Sequence, residues 1–329
     1  MQRTKQLMRQ SQSLRVFSSP SRASGTALMQ SGTAIVIFLL CLCSCVPKKK
    51  TSSRLKVITS IPVVYDWTRN LIDEEAESRL FLNLIVKNGS YYHTLIPGVT
   101  EQNLIDSAAL LIYVGGPTEK WIDEYVEKTA VLHPERLVLR LYDFSSSQSD
   151  VPIDEHFILA PDQAIICCNK ICEYLCMLDS QNADSYQKMN SKYNELLSIL
   201  DSTYKLQSTK TQDKTFIICD RMPFKFLFNE YKFNYVSLYD CCPAPQKSQP
   251  QAQTLKQFGN YIDDLKASEV YVFDKSDKKL AKQVIANSKN PKCDTLEFNS
   301  METLTLSELF SGKNYLDIMR NNLTLLRPN

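Results

Sequence analysis

The sequence predicts an α/β protein with two lobes, each built on a parallel sheet, that are joined by one long helix. Short β-branched, apolar segments alternate with amphipathic segments in two separate parts of the chain. Between those parts, NADSYQKMNSKYNELLSILDSTYKLQ contains neither Gly nor Pro and carries apolar residues at the helical period. The length of 329 residues suits roughly two domains of about 150 residues each.

The first 44 residues predict an export signal. They contain five basic residues and no acidic one, and they lead into the apolar run AIVIFLLCLCSC at residues 34–45. About twelve apolar residues are too few to span a bilayer, which takes about 20, but they suit the core of a signal peptide. The run ends in Leu42, Cys43, Ser44 and Cys45, which resembles a bacterial lipobox in which Cys45 is lipidated. Residues 45–54 are then predicted to be a tether.

Two alternatives remain open for this leader. An ordinary cleaved signal or a short membrane anchor would also explain the apolar run. The leader is longer than the usual signal peptide of about 15–30 residues, so translation is also compatible with a start near Met8 or Met29. Met29 alone would leave no basic segment ahead of the apolar run, which favours an earlier start.

The first lobe is predicted to span residues 55–180. The segments predicted as strands are LKVITS, LFLNLIV, ALLIYVGG and RLVLRLYDF. The segments predicted as helices between them are VVYDWTRNLIDEE, VTEQNLIDSA and TEKWIDEYVEKTA. A further helix, IICCNKICEYLCML, follows a loop and carries Cys168, Cys172 and Cys176 at helical spacing. We interpret these cysteines as small buried residues, because the paired CxxC-type spacing of a thiolate metal site is missing.

The linker helix is predicted at residues 181–207, without a break over residues 187–204, and the second lobe at residues 208–329. The second lobe repeats the alternation of the first. Its predicted strands are TFIICD, NYVSLY, EVYVFD and CDTLEF. Its predicted helices are PFKFLFNEYK, TLKQFGNYIDDLKA, DKKLAKQVIANSK and NYLDIMRNNLTLL. Strands that alternate with helices in this way favour parallel sheets in both lobes.

Composition and motifs argue against two classes of function. Removal of the first 44 residues changes the net charge from +2 to −3, with 33 basic and 36 acidic residues, so no broad positive field is available for nucleic acid. The sequence has no HExxH, GxSxG or P-loop pattern, and we therefore expect no enzymatic activity.

The order of elements, together with the lipobox, resembles the solute-binding proteins of zinc and manganese ABC transporters, the cluster A-I group of metal-binding lipoproteins. The resemblance covers essentially residues 55–328. It is carried by the linker helix and by SIPVVYDWTRNLI, GSYYHTLIP, LLIYVGGPTEKWID, DEHFILAPDQA, DRMPFKFLFNEY and NYLDIMRNNLTLL. It implies two Rossmann-like lobes, a rigid linker helix and a metal-binding cleft between the lobes.

The resemblance also implies the metal ligands. His93 in GSYYHTLIP and His156 in DEHFILAP match the first and second histidine ligands of the family. Asp220 in ICDRMPF stands where many members have a third histidine, although a pair with Arg221 or a helix cap would also explain it. Asp274 is expected as the fourth ligand, with Asp277 as the alternative. His133 matches no ligand position and is interpreted as a surface residue.

This resemblance implies capture of Zn2+, or alternatively Mn2+, and its delivery to an ABC permease and its ATPase. The protein is expected to be a monomer that is exported and held at a bacterial membrane through its lipid anchor, on the periplasmic side or the cell surface. Two departures weaken the expectation of tight zinc binding. CCPAPQKSQPQ replaces an acidic segment of the related subgroup, and SSSQSDVPI stands where some relatives have a His-rich loop. The alternative is a surface adhesin or scaffold lipoprotein with weak or no metal binding.

Overall fold

The computed structural model describes residues 54–87, 93, 95–146, 154–240 and 249–328. The predicted signal, Cys45 and all but the last residue of the predicted tether lie outside the described residues, as does the CCPAPQKS segment. Among the described helices, none combines the length and apolar character needed to cross a membrane.

The first lobe contains a four-stranded parallel sheet in the order β2-β1-β3-β4. Its strands are β1 (Leu55–Thr59), β2 (Leu80–Leu84), β3 (Leu110–Tyr113) and β4 (Leu137–Arg140). Its helices are α1 (Pro62–Asn70), α2 (Glu74–Glu77), α3 (Val99–Asp106), α4 (Lys120–Thr129) and α5 (Pro161–Leu178). Strand β3 is buried at every residue, as expected for a parallel strand covered on both faces.

Helix α5 carries the cysteine-rich segment. Cys167, Cys168 and Cys172 are buried and Cys176 is partly buried, and all four are free thiols. Burial raises the pKa of Cys172 to about 12, so this thiol stays protonated at neutral pH. The prediction that these cysteines serve as small core residues is confirmed.

A single helix, α6 (Ala183–Lys210), joins the two lobes. It contains residues 187–204 without a break, as the sequence predicts, and buries an apolar and aromatic stripe along its length. On one side it packs against α5 and α1. Towards the second lobe, the Tyr231 hydroxyl donates a hydrogen bond of 2.7 Å to Asp201 on the helix. The helix is therefore fixed to both lobes.

The second lobe repeats the topology of the first, with a parallel sheet in the order β6-β5-β7-β8. Its strands are β5 (Thr215–Ile218), β6 (Asn234–Ser237), β7 (Glu269–Phe273) and β8 (Asp294–Phe298). Its helices are α7 (Lys225–Glu230), α8 (Ala252–Asp264), α9 (Lys279–Ala286), α10 (Leu306–Phe310) and α11 (Tyr315–Leu325). The predicted fold class, with two parallel α/β lobes and a long connecting helix, is confirmed.

The last helix connects the second lobe to the first through packing and hydrogen bonds. On α11, the Tyr315 ring packs edge-on against Trp67 of α1 at 5.4 Å, and the Tyr315 backbone N–H donates to Asp66 at 2.8 Å. The Tyr204 hydroxyl of α6 donates to the Met319 carbonyl at 2.9 Å. The described residues of both lobes consequently belong to one compact unit, with a hydrophobic core that draws on both lobes.

Candidate metal centre

Two histidines from the first lobe meet in a buried position. His93 follows β2, and His156 lies in a short 3-10 helix, Glu155–Leu159, that follows β4 in the chain. Their side chains are 4% and 2% exposed, and their rings stack with centroids 5.1 Å apart. Their Nε2 atoms lie 3.2 Å apart. The first lobe thus brings together the two histidines that the sequence singled out.

Oxygen atoms hold the opposite nitrogen of each ring. His93 Nδ1 lies 2.7 Å from Thr118 Oγ1 and 3.2 Å from Glu155 Oε1. His156 Nδ1 lies 3.4 Å from an Asp154 carboxylate oxygen, which also accepts the His156 backbone N–H at 2.7 Å. Histidines that bind metal commonly make such a bond through the nitrogen that does not face the ion. The arrangement directs both Nε2 atoms towards a common point.

Glu155 is itself held by the turn after β3. Its carboxylate accepts hydrogen bonds from the backbone N–H of Thr118, at 2.8 Å, and from the Thr118 hydroxyl. Burial alone would raise the Glu155 pKa, but the bonds from His93 and Thr118 outweigh it and lower that pKa. Gly116 has a φ of 96°, and a Cβ there would lie 3.1 Å from Glu155 Cβ, so a glycine allows the close approach.

Glu302 from the second lobe completes the cluster. Its Oε1 lies 3.1 Å from His93 Nε2 and 3.3 Å from His156 Nε2, and its side chain is 2% exposed. Burial alone would raise the pKa of Glu302, but hydrogen bonds with His156 and His93 and the Arg221 guanidinium hold it well below its usual value. Glu302 is therefore a carboxylate that faces two imidazole nitrogens across the cleft.

A tight turn after β8 places Glu302 in the cleft. Met301 has a φ of 60°, in the left-handed region that a side chain adopts at a cost, and its backbone N–H donates to Asn299 Oδ1. Asp274 fixes the same turn, since its carboxylate accepts the Ser300 backbone N–H at 2.5 Å and the Thr303 hydroxyl at 2.9 Å. Ser300 Oγ lies 2.7 Å from Asp274 and 3.1 Å from Glu302 Oε2. Asp274 thereby supports Glu302.

Arg221 is the second partner of Glu302. Its Nη1 donates to Glu302 Oε1 at 2.9 Å, and its Nη2 forms a second bond with Oε2. Two parallel N–H···O bonds of this kind are the strong, directional form of an Arg–carboxylate pair. The sequence suggested an ion pair of Asp220 with Arg221, and the Asp220 carboxylate accepts a hydrogen bond from the Arg221 backbone N–H at 2.8 Å.

Asp220 joins two strands of the second sheet. Its carboxylate accepts the backbone N–H of Arg221 at 2.8 Å and that of Phe273, at the end of β7, at 3.2 Å. Burial raises its pKa, and these bonds partly offset that effect. The exposed Asp277 pairs with Lys279 at 2.9 Å. The carboxylates of Asp220 and Asp274 accept hydrogen bonds from backbone N–H and hydroxyl groups of the second lobe. Metal ligation by either residue stays a prediction.

The histidine that was predicted to lie on the surface is partly exposed. His133 Nε2 lies 3.1 Å from Asp106 Oδ1, in a contact that involves none of the residues around His93.

The three converging atoms lie slightly closer together than the ligands of a tetrahedral zinc site. Ligands at 2.0–2.2 Å from a tetrahedral Zn2+ lie about 3.3–3.6 Å from one another. The pairs formed by His93 Nε2, His156 Nε2 and Glu302 Oε1 are separated by 3.1–3.3 Å. Among the described residues, ligand atoms of His93, Glu155 and His156 also lie within 4.8 Å of one another. We favour the set with Glu302, because Glu155 contacts the far nitrogen of His93.

Sequence reasoning missed Glu302, Glu155 and the contact made by Arg221. The resemblance implied Asp274, which follows β7, as the fourth ligand. The carboxylate that lies next to the two histidines is that of Glu302, which follows β8. Parallel strands end at one edge of the sheet, so Asp220, Asp274 and Glu302 all follow strands that end there. This pattern could have indicated Glu302 as a candidate.

Comparison with known proteins identifies the family of this chain. The family model described as ZnuA, zinc-uptake complex component A, periplasmic, matches residues 57–328. The zinc-binding lipoprotein AdcA of Streptococcus pneumoniae is 22% identical over 88% of this chain, which spans 58% of the length of AdcA. The high-affinity zinc uptake system protein ZnuA of Bacillus subtilis is 23% identical, over 83% of this chain and 87% of that protein.

Solved structures match the fold as well. The Zn(II)-bound ZnuA-like domain of Streptococcus pneumoniae AdcA aligns with a TM-score of 0.69 at 20% identity, over 83% of this chain and 98% of that domain. The metal-dependent lipoprotein YcdH of Bacillus subtilis aligns with a TM-score of 0.71 at 21% identity, over the same shares of the two chains. At these identities the alignments establish the fold. Because the family model spans residues 57–328, nearly the whole of both lobes, the chain belongs to the ZnuA family.

Proposed function

We propose that this protein is the extracytoplasmic binding component of an ABC transporter that captures Zn2+ between its two lobes and delivers it to the permease. The observation that carries the proposal is the convergence of His93 Nε2, His156 Nε2 and Glu302 Oε1 within 3.3 Å of one another. The relatives AdcA and ZnuA, which are named for zinc binding or zinc uptake, support zinc as the cargo.

The proposed ligand set suits a divalent transition metal. Two neutral imidazoles and one carboxylate are common ligands of Zn2+, and they leave a fourth coordination position. Glu302 offsets one of the two positive charges of the ion, and Glu155 and Asp154 add negative charge behind the imidazoles. Sites of this kind bind Zn2+ more tightly than Mn2+. Zn2+ is therefore the preferred cargo in this proposal, and Mn2+ the alternative.

The structure also suggests how the ion would be held and released. His93 and His156 belong to the first lobe and Glu302 to the second, so a small separation of the lobes would break the ligand set. Helices α6 and α11 connect both lobes, and the Leu306 backbone N–H bonds to the Lys87 carbonyl at 3.0 Å near the cleft. We infer a limited opening that the permease would promote, rather than a wide hinge motion. Binding and release of the ion, without catalysis, make up this function.

We further propose that the protein acts outside the cytoplasm as a lipid-anchored monomer. The support is the signal pattern that ends at Cys45, together with the lipoprotein and periplasmic descriptions of the relative and of the family. A permease and its ATPase are the partners that an uptake complex requires. Fatty-acid labelling of the full chain and of Cys45→Ala tests the anchor, and equal labelling of the two would reject it.

Metal binding by the purified protein tests the function. The protein is stripped with a chelator and titrated with Zn2+ and Mn2+ in competition with a chromophoric chelator. We expect binding of Zn2+ at about one equivalent and weaker binding of Mn2+. The absence of binding under every loading condition would favour the adhesin or scaffold alternative.

A further inference from the structure

The cleft contains a positive charge next to the proposed metal position. The Arg221 side chain is 15% exposed and forms a two-bond pair with Glu302, which is 2% exposed. Arginine stays protonated at every physiological pH, so this cation is permanent. An arginine beside a ligand of a cation is unexpected, because like charges repel.

The pair has a clear role in the metal-free protein. A buried carboxylate without a compensating charge is strongly destabilising. His93 and His156 face Glu155 and Asp154 through their other ring nitrogens, so Glu302 is not the only carboxylate beside them. Arg221 supplies a compensating charge and holds both carboxylate oxygens of Glu302 in place. The guanidinium thus compensates Glu302 when no metal is bound.

Metal binding changes this balance, since the ion and Arg221 would both bind Glu302 Oε1. Zn2+ bound to Glu302 Oε1 at 2.0–2.2 Å would lie no more than about 5 Å from Arg221 Nη1, which is 2.9 Å from Oε1. A divalent and a monovalent cation at that distance repel each other strongly in a partly desolvated cleft. The ion and the guanidinium therefore compete for Oε1, and this competition weakens the binding of the ion.

The side chains of Arg221 and Glu302 differ in exposure, at 15% and 2%. The Arg221 backbone N–H is bonded to Asp220 at 2.8 Å, which fixes the main chain, whereas the long side chain reaches the edge of the solvent. Glu302 is fixed through Ser300, which Asp274 holds. The displaceable member of the pair is therefore the arginine.

We propose that Arg221 is a resident counter-cation that neutralises Glu302 in the metal-free protein, gives up Oε1 when zinc binds, and thereby weakens zinc binding and speeds its release. This inference rests on the proposed zinc-binding function. The competing role is that of a positioning residue that stays on Glu302 and orients it for the metal. The two roles predict effects of opposite sign when Arg221 is replaced.

The test compares Arg221→Gln with the wild type by chelator competition and by the rate at which excess chelator removes bound zinc. Loss of the charge should tighten zinc binding by about tenfold or more and slow release to a similar degree. Arg221→Lys keeps the charge but loses the two-bond geometry, so its zinc affinity should lie between those of the wild type and Arg221→Gln. Lys225→Gln removes a nearby charge that pairs with Asp240, and it should change the affinity by less than about twofold.

Unchanged or weaker zinc binding by Arg221→Gln, with a wild type that binds zinc through His93 and His156, would reject the role of Arg221 and leave the proposed function intact. A wild type that binds no zinc would reject both. A crystal structure of the zinc-bound wild type gives a second test that needs no variant. We expect Arg221 Nη1 to have left Glu302 Oε1, and a distance still near 2.9 Å would contradict the inference.

Discussion

His93 Nε2 and His156 Nε2 lie 3.2 Å apart, although 63 positions separate the two residues in the chain. Strands β2 and β4 of one parallel sheet precede them, and the carboxyl ends of such strands lie at one edge, where ligands bind in open α/β folds. The Nδ1 atom of each ring contacts an oxygen atom, that of Thr118 for His93 and that of Asp154 for His156. The pair is thus organised by the first lobe, and Glu302 adds the contact from the second.

Replacement of either histidine should abolish tight zinc binding. His93→Ala and His156→Ala each remove one of two nitrogen donors, so we expect affinity losses larger than the roughly 10–100-fold typical of outer-shell substitutions. Chelator competition at fixed pH measures the effect. His133→Ala is the matched control, since His133 pairs with Asp106, and it should bind like the wild type. Wild-type affinity in both site variants would place the metal elsewhere.

Substitutions of Glu302 and of Asp274 should lower the zinc affinity to different degrees. If Glu302 is the ligand and Asp274 its support, the zinc affinity should fall more than about 100-fold in Glu302→Gln and about tenfold in Asp274→Asn. The physical reason is that an amide is a poor substitute for a coordinating carboxylate, whereas the turn around Ser300 keeps several other bonds. Isothermal titration calorimetry on both variants gives the comparison. A larger loss in Asp274→Asn would restore Asp274 as the ligand.

Glu155 should act through His93. Glu155→Gln removes the negative charge behind the imidazole, and we expect zinc affinity to fall by about 10–100-fold. Glu124→Gln is the control, because Glu124 forms an exposed helix pair with Lys120 and should leave the affinity unchanged. The same titration measures both. An unchanged affinity in Glu155→Gln would mean that the carboxylate has no influence on the metal.

The buried pair of Lys214 and Glu269 should make stability depend on pH. The Lys214 ammonium lies 2.6 Å from Glu269, and although burial opposes the shift, this pair and the Ser268 bond lower the Glu269 pKa to about 2 from the ordinary 4.5. A lowered folded-state pKa stabilises the protein above about pH 4.5, and this contribution is lost as the pH falls through about 2.

Urea denaturation of the wild type and Glu269→Gln at neutral pH and near pH 3 measures this effect. The difference in free energy of unfolding between the two proteins should shrink as the pH falls. Glu127→Gln, on an exposed part of α4, serves as the control. A difference that does not change with pH would show that the pair makes no linked contribution.

The fold was predictable because its signals are local. The eight strands in the described part of the chain are short and each contains a β-branched or aromatic residue, and α6 carries its apolar stripe without interruption. The two histidines were predictable through the resemblance. Glu302 was not, because three acids follow three strands of one sheet, and the backbone conformation of Met301 and the hydrogen bonds of Asp274 decide which of them reaches the histidines. These are tertiary features that a single sequence does not display.

Anomalous diffraction at the zinc absorption edge, from crystals of the zinc-loaded protein, tests the central claim most directly. We predict one strong peak in the cleft, within about 2.0–2.2 Å of His93 Nε2, His156 Nε2 and Glu302 Oε1. A peak that lies away from these three atoms, or the absence of a peak after loading, would contradict the account of how this protein binds its metal.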